Sequence, residues 1–401
     1  MDSMGFCEGF RFDYDFNIPE LFGHLVTIEA YKQAALNLVL PPDWRDQLDK
    51  LNRVRAIHGT TALEGNPLSE AEVSRQIDIV DKQGDQPDQI RVTKEQLQVR
   101  NSAQAQAWVR KRFYPGSPPI TLEDIFKMHE MITQQSDEVH NVPGKLRTFS
   151  VTVGSPDMGG VHIGAPHNTL TQLMEEYVRF INSKKLTDTH PVIKALLSHF
   201  FLVTIHPFGD GNGRVSRLLE AGILFQGEYN VHGFYGLSNY FYRNERDYKM
   251  LLQKCREKQP FDVTPLLEFG IKGFALELNG INNFIKTKLN RVVYRQMLVN
   301  NYNKRTGIRR RRLNLREYKL LIFLLTETEP IDPFSESPSR KIKFSELQEA
   351  KFIQASYEDV TPRTFNRELS RLAGLRFIKF AKEETSKEWI VELDFEAITK
   401  Y

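Results

Sequence analysis

His206–Arg217 reads HPFGDGNGRVSR and brings a histidine, a carboxylate, an asparagine, three glycines and two arginines into twelve residues. Working outward, Val192–Ile205 carries Ile193, Leu196, Leu197, Phe200 and Phe201 at helical spacing, and Val215, Leu218, Leu219, Leu224 and Phe225 follow in the same rhythm. The stretch is therefore a tight turn between two apolar helices. Gly209, Gly211 and Gly213 let the backbone turn and present its N–H groups. The turn opens onto the N-terminus of the second helix, where unpaired N–H groups and the helix dipole favour an anion. Arg214 and Arg217, three apart on that helix, can grip more phosphate. Asp210 supplies one hard oxygen of the kind Mg²⁺ accepts from protein while taking the rest from phosphates and water. His206 stands at the mouth with a side chain suited to taking a proton near neutrality. Base, metal carboxylate and phosphate cradle together point to nucleotide chemistry.

A calcium-loop reading of DGNG fails. With Asp210 at the third and Asn212 at the fifth position of an EF-hand loop, Phe208 and Leu219 fall at the first and twelfth, and neither can bind calcium. An ordinary glycine-rich helix turn leaves the histidine, the acid and the two arginines without a reason.

The string resembles the signature of Fic-domain protein adenylyltransferases: a histidine, a phenylalanine two on, an acidic residue, GNGR and a final arginine, with no position departing. The resemblance implies that the histidine deprotonates a target hydroxyl, which attacks the α-phosphate of ATP and expels pyrophosphate. On that basis His206 is the base, Asp210 the Mg²⁺ ligand, and Asn212 with the backbone of Gly209, Gly211 and Gly213 the α-phosphate cradle. Arg214 and Arg217 hold the β- and γ-phosphates, and Phe208 is a buried anchor that fixes the loop. Phosphoryl-type transfer depends mainly on positioning and charge neutralisation, which such a loop can supply.

The chain's 401 residues allow about two or three domains. Its 40% hydrophobic and 26% charged content is that of a soluble globular protein, and a net charge of +3 implies neither nucleic acid nor membrane by itself. Cys7 and Cys255 make no disulfide framework and no zinc pair. The opening residues lack a signal-peptide core, and the most apolar run, Ala195–Ile205, is short and interrupted by Ser198 and His199. A cytoplasmic protein with no membrane partner is the expectation.

In chain order, Phe10, Phe12, Tyr14 and Phe16 are expected to pack an N-terminal segment onto the body, and an amphipathic pattern follows over Leu21–Leu40. After Pro41-Pro42 a helix carries Leu48, Leu51, Val54 and Ile57 on one face, and it stops where Gly65, Asn66 and Pro67 oppose continuation. Glu64 at that helix end sits unfavourably against the dipole and wants a cation. The resemblance names one: Thr60-Thr61-Ala62-Leu63-Glu64-Gly65 matches the family's inhibitory motif, whose glutamate pairs with the last arginine of the signature, here Arg217, and keeps the γ-phosphate from its productive place. Ser69–Glu72 reads as a capping box, Asp81–Ile90 as a loop, and Gln96–Phe113 and Thr121–Thr133 as helices. Thr148–Val153 alternates, Gly154–Gly160 turns, and Val161 and Ile163 alternate again, which predicts a hairpin. Fic proteins place a flap there that holds the target segment by backbone pairing, so Val161, His162 and Ile163 are expected above the α-phosphate. Gly144-Lys145-Leu146-Arg147 also fits the family pattern. Leu237–Leu252 resembles the family's segment near the adenine, with Tyr248 at the position of a base-contacting tyrosine. Where relatives often place an asparagine, this chain has Arg256.

The last third changes character. Asn301–Arg312 ends in IRRRR, a basic linker; Leu315, Tyr318, Ile322 and Leu325 mark a helix; Pro330–Pro338 separates it from a second helix, Ser345–Ile353. Thr361-Pro362 opens a third, with Arg363, Arg367 and Arg371 in a stripe, and Phe377–Phe380 with Trp389–Leu393 make a hairpin. This resembles the winged helix–turn–helix that follows the catalytic domain in one group of Fic proteins. The arginines suit DNA phosphates, but Glu383, Glu384 and Glu388 on the wing would repel them, and protein contact or a rigid appendage fits better.

The expected architecture is mainly α: an N-terminal helical region with the inhibitory motif over 1–115, a Fic-type helical core with a small β-hairpin flap over 116–290, and a winged helix over 291–401. The expected activity is an autoinhibited, Mg²⁺-dependent transfer of AMP from ATP to Ser, Thr or Tyr hydroxyls of target proteins or of the chain itself. A homodimer fits the resemblance. The rivals are AMP removal or another phospho-group transfer at the same site, and a nucleotide-sensing DNA-binding regulator, against which an intact His206 argues.

Overall fold

The structure is a computed structural model and describes residues 10–38, 40–83, 92–135, 140–230, 233, 236–306, 310–330, 340–382 and 387–399. It divides into two compact units, Met1–Leu278 and Asn279–Tyr401. The helices assigned from sequence to 1–115 lie in the same unit as those that follow them up to Leu278.

In the first unit come α1 (Ile18–Leu36), α2 (Pro42–Ala62), α3 (Glu70–Gln83), α4 (Lys94–Arg112), α5 (Leu122–Thr133), the strands β1 (Thr152–Ser155) and β2 (Gly160–Ile163), and α6 (Leu170–Ile181). They are followed by α7 (Pro191–Ile205), α8 (Asn212–Gln226), α9 (Ser238–Arg243), α10 (Glu245–Cys255) and the start of α11 (Thr264–Asn303). At its centre α7 lies against α8, and nearly every residue of both is buried. Helices that apolar all round belong in a core. α2, α4 and α5 cover α8, while α6 packs on α7.

Local chemistry sets the starts of these helices. Thr93 and Gln96, and Thr121 and Asp124, form reciprocal capping boxes, and Glu72 closes back on the Ser69 N–H at 2.9 Å. The N-terminal aromatics pack as their composition suggests. Phe12 stacks on Phe180 and, with Phe10 and Tyr14, edges onto Phe201. Tyr14–Asp15 pairs in parallel with Phe261–Asp262 and fixes the segment.

The hairpin is two-stranded and antiparallel, with Val153 opposite His162. Its first strand begins at Thr152, later than the alternation from Thr148 suggests. α3 runs through Gln83, beyond the start of the loop read at Asp81.

The second unit holds α12 (Leu315–Glu327), β3 (Ile342–Lys343), α13 (Phe344–Glu349), α14 (Lys351–Ser356), α15 (Pro362–Gly374), β4 (Ile378–Lys382) and β5 (Trp389–Leu393). The sheet order is β3-β5-β4, all antiparallel. Its core gathers Leu320, Leu324, Phe365, Leu369, Leu372, Phe377 and Val391. The helix expected over Ser345–Ile353 is two short ones, broken where Ala350 is extended (φ −59°, ψ 120°). Leu347 and Ile353, six residues apart, would point in different directions from one continuous helix. The break buries both. The basic linker also differs, since Arg305–Thr306 pairs antiparallel with Arg310–Arg311. Cys7, most of the Asp81–Ile90 loop, Ile308 and Arg309, the stretch after Pro330 and the wing acids Glu383 and Glu384 lie outside the described residues. Among the described residues no helix is long and apolar enough to cross a membrane.

Candidate active site

α7 ends at Ile205, and His206 caps it in the left-handed region (φ 54°), a conformation that costs a non-glycine residue about 1 kcal/mol or more. Arg147 holds it there. Its Nε donates to the His206 carbonyl at 2.8 Å, its two Nη groups donate to the carbonyls of Phe149 and Ala165, and its N–H donates to Pro207 at 3.0 Å. Burial, followed by the Arg256 and Arg147 cations, lowers the His206 pKa to about 4, against a contact with the Val203 backbone that raises it. The imidazole is therefore neutral at pH 7 and able to accept a proton.

Phe208 is fully buried and stacks on His129, with ring centres 3.8 Å apart. His129 Nδ1 accepts the Gly144 N–H at 2.9 Å, so Nε2 carries the proton that bonds the Asp210 carbonyl at 3.1 Å. Burial lowers the His129 pKa to about 4, which keeps this arrangement uncharged. Gly209 passes against His140 and Asn141, and Asn141 Oδ1 accepts the Asp210 N–H at 3.1 Å. Gly211, at φ 78°, opens α8.

The Asn212 side chain spends both ends on Phe208, accepting its N–H and donating to its carbonyl at 2.9 Å each. It thereby closes the loop with one Nδ2 hydrogen to spare, and its backbone N–H lies in the first turn of α8. Arg214 is 2% exposed and bonds Asp210 Oδ2, four residues back, at 2.6 Å. Its Nε and Nη1 are buried without a hydrogen-bond partner among the described residues. Such donors are costly until an acceptor arrives.

Arg217 goes the other way. Nε donates to Thr60 Oγ1 at 2.7 Å, and Nη2 donates to the Thr60 carbonyl at 3.1 Å and to Glu64 Oε1 at 2.5 Å. α2 ends in a Schellman turn: Gly65 N–H bonds the Ala62 carbonyl at 2.9 Å and Asn66 N–H the Thr61 carbonyl at 3.1 Å. This turn aims Glu64 at the start of α8. The carboxylate lies on Gly213, where a Cβ would meet Glu64 Oε1 at 2.4 Å. Burial favours neutral Glu64, but Arg217 and then Arg214 outweigh it and hold the carboxyl below the usual range. Burial likewise weakens the Arg217 cation, and Glu64 outweighs it, pushing that pKa up.

A cavity of about 420 Å³ opens here, the size of a small-molecule site. His206, Gly213, Arg217, Glu64, Tyr248, Lys249, Leu252 and Arg256 are among the residues that line it. The hairpin contributes Val153, Gly154 and Ser155 from β1, not Val161, His162 and Ile163. His162 is buried, with Nε2 2.7 Å from the Thr204 carbonyl. Tyr248 is at the cavity but almost fully buried, stacked on Phe241, with its hydroxyl 2.8 Å from His199 Nε2. Arg256 donates to Thr204 Oγ1 at 3.0 Å and Gln253 Oε1 at 3.1 Å beneath His206.

As for Mg²⁺, no three His, Cys, Asp or Glu side chains cluster among the described residues. Asp210, whose side chain is 28% exposed, offers a single carboxylate. That donor set fits an ion that takes its remaining ligands from phosphates and water.

Comparison with known proteins agrees with this geometry. The Fic/DOC family model matches residues 119–224. A protein adenylyltransferase Fic from Drosophila erecta is 38% identical over 110 residues, 27% of this chain, and its Drosophila melanogaster counterpart matches equally. The match spans 21% of the length of those relatives. Among solved structures, a Fic family protein from Desulfovibrio desulfuricans G20 aligns over 96% of this chain and 98% of its own, with a TM-score of 0.54 and 17% identity. Fic-1 from C. elegans aligns over 67% and 73%, with a TM-score of 0.51 and 20% identity. Residues 119–224, which hold the hairpin, α7, the turn after it and most of α8, thus form a Fic-family domain.

Proposed function

We propose that this chain is an autoinhibited protein adenylyltransferase that transfers AMP from ATP to a Ser, Thr or Tyr hydroxyl of a target protein or of itself. The observation that carries this reading is a neutral, buried His206 on the wall of the same cavity as Gly213 and Arg217. His206 takes the hydroxyl proton, the oxygen bonds the α-phosphorus, and the bond to the bridging oxygen breaks to release pyrophosphate. The N–H groups at the start of α8 and the partnerless donors of Arg214 suit phosphate oxygens. Mg²⁺ at Asp210 would neutralise phosphate charge. Backbone pairing along β1 would align a target segment without demanding much of its sequence. Glu64 keeps Arg217 from the γ-phosphate, which is the inhibition.

With the Glu64→Gly protein, label at the α-phosphate of ATP should appear on protein and label at the γ-phosphate should not. Transfer of the γ-label would replace AMP transfer with phosphorylation. A second measurement checks the base. An ordinary histidine would lose half its activity by about pH 6.5. With a free-enzyme pKa near 4, kcat/KM of Glu64→Gly should stay flat from pH 8 to about pH 6. A midpoint at 6.5 would remove the reading of a buried neutral base.

The second unit we read as a winged helix used for protein contact. Arg371 is tied to the fully buried Glu317 and donates to the Arg312 carbonyl at 2.7 Å, which leaves Arg363 and Arg367 of the stripe exposed. At about 0.1 M salt the full chain should bind duplex DNA no tighter than the non-specific level, roughly 10⁻⁶ M. Tighter, salt-dependent binding that Arg363→Ala with Arg367→Ala weakens would establish a DNA role instead.

A further inference from the structure

Among the residues that line the cavity, Arg217, Lys249 and Arg256 are cations. Arg217 has Glu64 as its partner, and Lys249 Nζ has Glu245 Oε1 at 2.5 Å. Arg256, at the C-terminal end of α10, has no carboxylate paired with it among the described residues. It is 7% exposed, and its guanidinium bonds the Thr204 hydroxyl at 3.0 Å and the Gln253 amide oxygen at 3.1 Å. Both acceptors are neutral. The Thr204 hydroxyl gives its own proton to the Phe200 carbonyl at 2.7 Å, and the Gln253 amide donates to the Gly160 carbonyl at 3.0 Å, so each oxygen is left to accept. Two bonds take two of the five N–H groups of the guanidinium, and three remain. Burial lowers the Arg256 pKa to about 10, which still leaves the group charged at pH 7. Elsewhere in this unit a buried charge is matched. Glu220, 1% exposed, has His199 Nδ1 2.9 Å from Oε2 and accepts the Leu237 N–H on Oε1 at 3.1 Å. A buried guanidinium with neutral partners alone is costly until an anion reaches it.

The place of this cation says which anion. Thr204, to which it is bonded, stands two residues before His206 and within one helical turn of it, and Val203 beside Thr204 lines the cavity as well. Arg256 is therefore tied to the end of α7 that carries the base, where the phosphorus that receives the target oxygen has to sit. We propose that Arg256 is a phosphate-binding residue that takes a non-bridging oxygen of the α-phosphate on its remaining N–H groups. It adds a full charge to the partial charges of the α8 N-terminus. The assignment rests on the nucleotide reading above and places a phosphate contact outside the signature.

The test compares adenosine, AMP and ATP by calorimetry in the Glu64→Gly protein, alone and with Arg256→Gln. Loss of a hydrogen bond between charged groups predicts a rise of about 10-fold or more in the Kd for AMP and for ATP alike. The Kd for adenosine, which has no phosphate, should stay within about 2-fold of the Glu64→Gly value, and its binding also reports that the variant is folded. Arg256→Met, an unbranched apolar side chain, carries the same test if Arg256→Gln does not fold. A loss for ATP with AMP unchanged would move the contact to the β- or γ-phosphate and overturn the proposal. An equal loss for adenosine would overturn it too and leave Arg256 as packing or a contact to the nucleoside, and so would unchanged binding of all three. Failure of both AMP and ATP to bind Glu64→Gly with Arg256 intact would remove the nucleotide reading itself.

Discussion

Glu64→Gly should incorporate roughly 10- to 100-fold more AMP from ATP than the unaltered protein, the range of a coupling of 1–3 kcal/mol between two sites. The substitution deletes one carboxylate that does three things at once. It bonds Arg217 Nη2, it neutralises that cation, and it occupies the space over Gly213. A γ-phosphate needs the same arginine, so carboxylate and phosphate compete for one set of donors. Removing Glu64 leaves the backbone bonds of the Schellman turn in place, but it takes the carboxylate from a buried Arg217 cation, so the variant should be less stable as well as more active. Acid is no substitute for the mutation. Arg217 and Arg214 overcome the effect of burial and hold the carboxyl below the usual range, so it stays charged, and the lock stays shut, through mild acidity. Equal labelling of the two proteins would dispose of the inhibitory assignment. An intermediate gain for Glu64→Gln, which keeps the bulk but not the charge, would apportion the effect between them.

His206→Ala in the Glu64→Gly background should lose about 10²–10⁴-fold in the same assay, the usual worth of a positioned base. Binding should survive. The cavity keeps Gly213, Arg217 and Tyr248, and the turn keeps Phe208 on His129 with Asn212 closing it. Calorimetry should therefore give a Kd for ATP within about 3-fold of Glu64→Gly, which separates loss of proton transfer from loss of the site. Normal labelling by His206→Ala would mean that another group takes the proton.

The central helices and the signature turn were legible because they are local. Apolar spacing marks α7 and α8, and HPFGDGNGR sits between them in one reading frame. The same holds for Glu64, because a motif of six residues carries both the carboxylate and the turn that aims it. Side-chain direction was less accessible. Spacing puts Arg214 and Arg217 on one helix face, but it does not show that Asp210 binds one Nη of Arg214 or that Asn212 closes the loop on Phe208. Alternation alone does not say which strand of the hairpin lines the cavity, where β1 contributes Val153, Gly154 and Ser155. His199 and Glu220 did leave a trace, as polar residues inside helices that are otherwise apolar. Their pairing spans 21 residues and a helix crossing, which no local pattern encodes. Thr60 was visible as the first residue of a motif, but its two bonds to Arg217 were not.

One guanidinium, that of Arg147, grips the backbone of His206, of Phe149 ahead of the hairpin and of Ala165 behind it. The arm that would receive a guest segment and the imidazole that would act on it are thereby bolted to a common plate. A peptide seated out of line would drag its own reaction centre out of line, and fidelity toward well-seated guests would come from the bolt itself.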